Sequence, residues 1–511
     1  MLVPLTELDA GMTTMALCPC FVFALPPGTD EDARTALVER VRGAAQRVVD
    51  KWKHLQGTPE WTKDGVWANR IPEDDEQHLK RSTVGFSTAT YEQPYHLAAK
   101  FPAPLPPLSS SPSGVSPLLN RSFFRPSYVP QQFSAHAKHK HPLVHLHVSL
   151  FADALAVGVS VPHALLDGHG IGILLRALTA ELHGEEWVVP PLPAEGGAKN
   201  PLSAAFDRLK ADETIAVEAK ETLTPSRDAS WTPVSVLALL VFLVSILMEK
   251  AWGKDRARRV FIRQDLVDSL VERVKEEVKV ETEGREYVSA GDVLTAWLLK
   301  TVHAGETSSD SVVASGVFNM RPLLDSHRPS PSTASPTALV PLSLYPFNCA
   351  LNYQLLTTPL PLSTLASTPL SALSLSFRRN LAQYRSLLAL QSFLFDKRPH
   401  VPAVVPVRDP PQLPFSLPFS RRSHTHRWVV TNQVSIGIAD LSIPDPTSAD
   451  GKEDLPLLQY CLDADMPILP DHMVSIQRVP GGLTMSATMR MSRWRKLEKA
   501  IEGLEREVKA A

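Results

Sequence analysis

The stretch Val159-Ser-Val-Pro-His163-Ala-Leu-Leu-Asp167-Gly168 decides how the chain is read. An apolar run ends on a proline, a histidine follows at once, and an aspartate–glycine pair stands before a new pattern begins. Upstream, Leu143 to Val161 alternates or runs apolar and reads as two strands joined near Ala152-Asp153. Downstream of Gly170, Ile171, Leu174, Leu175, Leu178 and Leu182 recur with the period of a helix. The local prediction is therefore strand, turn and helix, with the histidine presented by the turn. Of the seventeen histidines, only His163 is followed by an aspartate four positions later. The pair alone is a weak signal, and the apolar strand before it and the glycine after it sharpen it.

Further out the same mixture of elements continues. Glu31 to Leu55 is an amphipathic helix with Leu37, Val41, Ala44, Ala45, Val48 and Trp52 on one face. Arg259 to Ile262 reads as a strand, followed by a charged helix from Asp265 to Val280. Ser289 with Asp292 three residues on reads as an N-cap opening a helix through Leu294, Trp297 and Leu298. Val312 to Met320, His426 to Ile438 and Thr484 to Met489 are strand-like, and Ser492 to Val508 is a closing helix. The forty-five prolines cluster in Phe101 to Gln131, Val189 to Pro201, Pro322 to Pro346, Thr358 to Pro369 and Arg398 to Pro418. Proline ends helices and cannot donate in a central strand, so these read as long connections or insertions.

Several stretches, in order along the chain, resemble the BAHD acyltransferases, particularly their fungal branch. The Val159 to Gly168 segment resembles their HxxxDG motif. Pro4-Leu-Thr-Glu-Leu-Asp9 resembles the family's N-terminal opening, and Trp52-Lys-His-Leu-Gln-Gly57 the end of its first helix. Gly316-Val-Phe-Asn319-Met-Arg321-Pro322 is similar to the family's arginine-bearing strand, and Tyr345-Pro-Phe-Asn348 to a later asparagine segment. Val430-Thr431-Asn432 falls where the family has a polar threonine–serine–tryptophan, with Gln433 in place of the tryptophan. The family's DFGWG motif would fall in Ile438 to Ile443, where only Asp440 matches. Pro162 stands where condensation domains of peptide synthetases carry a first histidine.

The resemblance implies an α/β fold of two similar chloramphenicol-acetyltransferase-like domains, each a mixed β-sheet flanked by helices, with the active-site channel at their interface. The division is placed at 1–215, carrying HxxxDG, and 216–511. It implies transfer of an acyl group from acyl-CoA, as co-substrate, to a hydroxyl or amine of a hydrophobic secondary metabolite, without a permanently bound cofactor. An alcohol attacks a thioester slowly near neutral pH unless its proton is removed, and histidine is the side chain matched to that task. His163 is then the general base, beside Gly168. Asp167 is implied to turn from the base and pair with Arg321, orienting the turn. Thr431 and Asn432 are candidates for stabilising the oxyanion or lining the pocket, with capping of a strand as the alternative. A carrier-protein-dependent condensation enzyme, and a silent binding protein of the same fold, are the rival readings.

Bulk properties agree with a globular enzyme acting on small molecules. The chain has 511 residues, more than one compact core holds, with 44% hydrophobic and 21% charged residues. A net charge of −2 supplies no basic field for nucleic acid. Cys18, Cys20, Cys349 and Cys461 are too scattered for a disulfide framework, which suits a reducing compartment. The opening residues lack a secretory pattern, so a cytoplasmic monomer is expected. Val234 to Met248 is fifteen residues without a charge. As a helix it covers roughly 22 Å, short of the ~30 Å of a hydrocarbon core. It reads as a buried helix, with peripheral contact to an internal membrane as the alternative. His136, His139, His141, His145 and His147 lack a cysteine or carboxylate partner, so a solvated cluster and no metal site are expected.

Overall fold

A computed structural model of the chain describes residues 1–72, 83–192, 200–215, 255–306, 310–328, 341–356, 358–395, 425–448, 453–465 and 472–510. The stretch Val234 to Met248 lies outside these residues. Among the described residues no helix is long and apolar enough to cross a membrane.

Two mixed sheets organise the molecule. The first has five strands, in the order Leu457–Asp465, Ala16–Ala24, Ala154–Pro162, His145–Leu150 and Gly85–Thr90. Its last two strands run parallel and the remaining pairs antiparallel. Ala154–Pro162 lies at its centre and every residue of it is buried, which explains its nearly unbroken apolar sequence. The second sheet has eight strands. Its path runs Ala350–Gln354, Ser311–Asn319, Thr425–Asn432, His472–Val479, Gly482–Arg490, Asp255–Arg263 and Gly114–Pro117, with Leu360–Pro361 pairing beside Ser311–Asn319. A small three-stranded sheet collects Leu2–Pro4, Thr58–Trp61 and Trp67–Arg70.

Each large sheet takes an edge strand from the other half of the chain. Gly114–Pro117 closes the eight-stranded sheet against Asp255–Arg263. Leu457–Asp465 closes the five-stranded sheet against Ala16–Ala24. The proline-rich Phe101 to Gln131 is thus no simple excursion, because it delivers a sheet strand and buries Leu108, Phe123, Phe124 and Arg125. Proline is tolerated there since the strand lies at a sheet edge.

Local signals set the helix limits. Asp30 caps Glu31–Lys51 by accepting from the Ala33 amide at 2.7 Å, and Leu37, Val38, Val41, Ala44, Ala45, Val48 and Val49 form its buried stripe. Ser289 and Asp292 form a reciprocal capping box at the start of Ala290–Val302. Gly184, at φ 72°, closes Gly168–His183 in the left-handed conformation. The strand-like reading of His426 to Ile438 holds only to Asn432, after which the chain turns.

The central strand of the five-stranded sheet passes directly beneath the Phe124 peptide. A Cβ on Gly158 would lie 2.0 Å from the Phe124 carbonyl oxygen, whereas one on Gly114 would meet nothing within 4 Å. Gly158→Ala is expected to destabilise the fold by about 1–3 kcal/mol through overpacking. Urea denaturation should show this as a lowered midpoint, with Gly114→Ala close to wild type.

Candidate active site

His163 follows the end of the central strand, where Ala16 pairs with Pro162. Its amide donates to the Met15 carbonyl at 2.8 Å, and its own carbonyl accepts from Asn348 Nδ2 at 2.8 Å. The backbone of the histidine is therefore held from both sides. The side chain is partly exposed, while its Nδ1 is buried without a hydrogen-bond partner of normal geometry. Burial lowers the His163 pKa below its ordinary value, against opposing influences from its own carbonyl, the Asp167 charge and the Asn348 side chain. The ring is consequently neutral at pH 7.

The Asp167 carboxylate is engaged away from the imidazole. Oδ1 caps the following helix by accepting from the Gly170 amide at 3.0 Å. Oδ2 accepts from Arg321 Nη2 at 2.9 Å and from the Cys349 amide at 3.2 Å. Arg321 is 2% exposed and distributes its other protons among buried oxygens. Nε donates to the Tyr345 carbonyl at 2.8 Å, Nη1 to Asn319 Oδ1 at 3.1 Å, and Nη2 also to the Phe347 carbonyl. Burial alone would depress the Arg321 pKa. The Asp167 charge and the hydrogen bond that Arg321 donates to it oppose this, and the net shift is upward. The Asp167 amide completes the weave by donating to the Pro346 carbonyl at 3.3 Å.

Gly168 opens the helix that leaves this turn. A Cβ there would stand 3.1 Å from Gln433 Nε2, and one on Gly170 would stand 2.1 Å from the Pro346 carbonyl oxygen. The missing side chain at Gly170 lets two backbones meet. The loop after Asn432 lies along the same helix. Arg176 Nη1 donates to the Ile436 carbonyl at 3.2 Å, and Thr179 Oγ1 donates to the Asp440 carbonyl at 3.2 Å. The Ser442 amide donates to Thr179 Oγ1 at 3.0 Å.

Thr431 and Asn432 end the strand that leads into this loop, on opposite faces of it. The Thr431 hydroxyl donates to the Val474 carbonyl at 3.0 Å. Asn432 Oδ1 accepts from the Val434 amide at 3.2 Å, and Nδ2 faces Gly291 at the start of another helix. Gln433 was not singled out as a site residue from the sequence. Its Oε1 accepts from Ser475 Oγ at 3.1 Å and Gln477 Nε2 at 3.0 Å, while its Nε2 lies beside Gly168. The signal was strand alternation, which places position 433 on the face that Thr431 shares.

The histidine-rich stretch differs from expectation, because His136, His145 and His147 are buried rather than solvated. Ser87 Oγ lies 2.9 Å from His145 Nε2 and 2.7 Å from His147 Nδ1, and His136 Nδ1 lies 2.9 Å from the Pro142 carbonyl. Elsewhere, His303, Glu306 and His426 approach closely enough to suggest a metal site. The Trp428 indole donates to His303 Nε2 at 3.0 Å, so Nδ1 carries the proton that meets Glu306 Oε2 at 2.8 Å. Lys496 Nζ stands 2.9 Å from Glu306 as well. These groups satisfy one another and leave His303 no lone pair for an ion.

A comparison with protein-family models gives no match. The chain is 29% identical over 248 residues to the O-acyltransferase pboC of Aspergillus ustus, across 48% of this chain and 46% of the relative. It is 25% identical over 288 residues to the acetyltransferase BOT5 of Botryotinia fuckeliana, across 55% and 50%. The chain thus matches about half the length of these curated relatives. Among solved structures it resembles TRI101 of F. sporotrichioides, complexed with coenzyme A and T-2. The TM-score is 0.60 at 12% identity, covering 97% of this chain and 96% of the other, a likeness of fold.

Two consequences can be measured. Arg321→Ala leaves Asp167 buried without its cation and should cost about 3–5 kcal/mol in chemical denaturation. A folded variant with unchanged stability would exclude this account of the pair. Burial, then the neighbouring His141 charge, lowers His136 to about 4 and His145 to about 3. Both lie below the unfolded value of about 6.5, so their contribution to stability is complete above pH 6.5 and is lost as pH falls toward 4 and 3. His145→Asn should flatten the slope of stability against pH between about 6 and 4.

Proposed function

We propose that this chain is a BAHD-type acyltransferase that transfers an acyl group from acyl-CoA to a hydroxyl, or an amine, of a hydrophobic secondary metabolite, with His163 as general base; its similarity to fungal acyltransferases and the shared fold support this. The observation that carries this reading is the turn itself. It presents a partly exposed imidazole, neutral at pH 7, on a backbone held at both its amide and its carbonyl.

In this reading the acceptor hydroxyl approaches Nε2, since Nδ1 is buried. As the acceptor oxygen attacks the thioester carbonyl carbon, its proton passes to His163. The tetrahedral intermediate then collapses with cleavage of the carbon–sulfur bond, and His163 returns the proton to the CoA sulfur. No acyl-enzyme is formed, and no nucleophilic serine or cysteine is needed. Burial pushes the Cys349 thiol up to about 12, which suits it to packing rather than attack. Asp167 and Arg321 keep the turn in place without touching the reacting atoms. Thr431 and Asn432 are the candidates for the oxyanion. For Thr431 this would mean exchanging the Val474 carbonyl, to which its hydroxyl donates, for the developing charge. Acyl-CoA enters as co-substrate, without a resident cofactor, and a cytoplasmic monomer completes the reading.

Thiol release from a panel of acyl-CoAs, with and without alcohol acceptors, tests the proposal. His163→Ala should reduce turnover by about 10²–10⁴-fold. For the wild type, kcat/KM should be level near pH 7 and fall on the acid side with a midpoint below the ordinary histidine value of about 6.5. CoA binding without turnover, in both proteins, would identify a silent binder instead. Absence of both binding and turnover would move the search to carrier-bound thioesters.

A further inference from the structure

The N-terminal segment is tied to the His163 turn in a way the proposed reaction does not by itself require. Asp9 and Asn348 are 2% and 4% exposed and lie 339 positions apart in sequence. Asp9 Oδ1 accepts from both the amide and the Nδ2 of Asn348, each at 2.9 Å. Asp9 Oδ2 accepts from the Thr6 amide at 3.0 Å and the Thr6 hydroxyl at 2.6 Å. Asn348 Nδ2 also donates to the His163 carbonyl at 2.8 Å. Two acceptors on one amide atom fix that atom as the nitrogen, so the side chain has a single orientation.

The same segment reaches the histidine by a second route. The Met12 amide donates to the Asp9 carbonyl at 2.9 Å, and the Met15 amide to the Met12 carbonyl at 3.1 Å. The Met15 carbonyl then accepts from the His163 amide at 2.8 Å. Both polar groups of the His163 backbone therefore end on the segment from Thr6 to Met15, one directly and one through Asn348. No cation balances Asp9 in these contacts. Burial pushes its carboxyl up to about 6, and the bonds from Thr6 and Asn348 pull it back down. It remains a carboxylate at pH 7 and keeps four donors gathered around it.

We propose that Asp9 and Asn348 form a positioning pair for the catalytic base, in which Asn348 grips the His163 peptide carbonyl and Asp9 fixes the Asn348 amide. The pair touches neither substrate nor reacting atoms and acts only through the direction in which the imidazole points. A misplacement of about 1 Å at a reacting group can cost on the order of 100-fold in rate, so a peptide held this closely matters to turnover.

The inference rests on His163 being the base, and its test separates the two. Asn348→Ala and Asp9→Ala should each lower kcat by about 10- to 100-fold with the KM for donor and acceptor little changed. The double variant should be no worse than either single one, because both act through one device. Asp9→Asn keeps an acceptor for Asn348 and should recover most of what Asp9→Ala loses. With ¹³C-labelled histidine, the His163 resonance, assigned by its absence in His163→Ala, should titrate at lower pH in Asn348→Ala while the other histidines hold. Wild-type kcat and wild-type His163 titration in folded Asn348→Ala would overturn the proposal, as would a loss confined to KM or fully additive losses. If Asn348→Ala fails to fold, Thr6→Val removes the hydroxyl bond to Asp9 Oδ2, and with it the oxygen that accepts from the Asp9 amide at 3.3 Å, while the Thr6 amide still reaches the carboxylate. It should shift kcat and the titration in the same directions by a smaller amount, and no change in either would overturn the proposal. Should the wild type release no thiol and match His163→Ala, the function reading fails, and the titration still decides whether Asn348 orients the ring.

Discussion

A buried ion pair between residues 154 positions apart, Asp167 and Arg321, is the constraint on which the rest of the site depends. Removing two charges from water is costly, and the attraction between them offsets that cost only when every remaining lone pair and proton finds a partner. Here those partners come from three segments. Asp167 caps its own helix through the Gly170 amide and accepts from the Cys349 amide of another segment, while Arg321 gathers the carbonyls of Tyr345 and Phe347 and the side chain of Asn319. Both limbs of the His163 turn and the Tyr345 to Cys349 segment are thereby fixed to one another. The carboxylate is committed to scaffold contacts, so both its oxygens are engaged away from the imidazole.

That local weave is supported by exchange on a larger scale. Gly114–Pro117 and Leu457–Asp465 each complete a sheet formed mainly by the other half of the chain. The loop from Gln433 to Ile443 runs from the eight-stranded sheet onto the helix Gly168–His183, where Arg176 and Thr179 bind its backbone. Separating the halves would break sheet hydrogen bonds as well as side-chain contacts. The geometry around His163 is correspondingly over-determined. If His163 acts as the proposed base, this serves it, because pre-organised groups need no rearrangement during the reaction.

The fold class and the histidine turn were legible because their signals are local. Strand, turn and helix around His163 follow from hydrophobic period, and the Ser289–Asp292 box follows from capping chemistry three residues long. The strand at Gly114–Pro117 was hidden because its composition is that of a connection, and only an edge position tolerates its proline. The burial of His136, His145 and His147 was hidden for a different reason. A histidine in an apolar stretch and one in solvent look alike until a neighbouring strand supplies Ser87. Thr431 and Asn432 adjoin in sequence yet face opposite ways, and the pleat brings Gln433 to the Gly168 side.

The sequence by itself determined the kinds of element, the turn that carries His163, Asp167 and Gly168, and a set of ordered stretches pointing to one family. Such information is carried by neighbours a few positions apart, where hydrophobic period and capping act. Only the tertiary structure decided which stretches meet. Asp167 reaches Arg321, Asn348 reaches both Asp9 and the His163 carbonyl, and the Gln433 loop lies on the helix that Gly168 begins. Those contacts span separations of 154, 339, 185 and 260 positions, distances over which no local propensity acts. They form because burying the two sheets against their helices brings these polar groups together out of water, where each must find a partner.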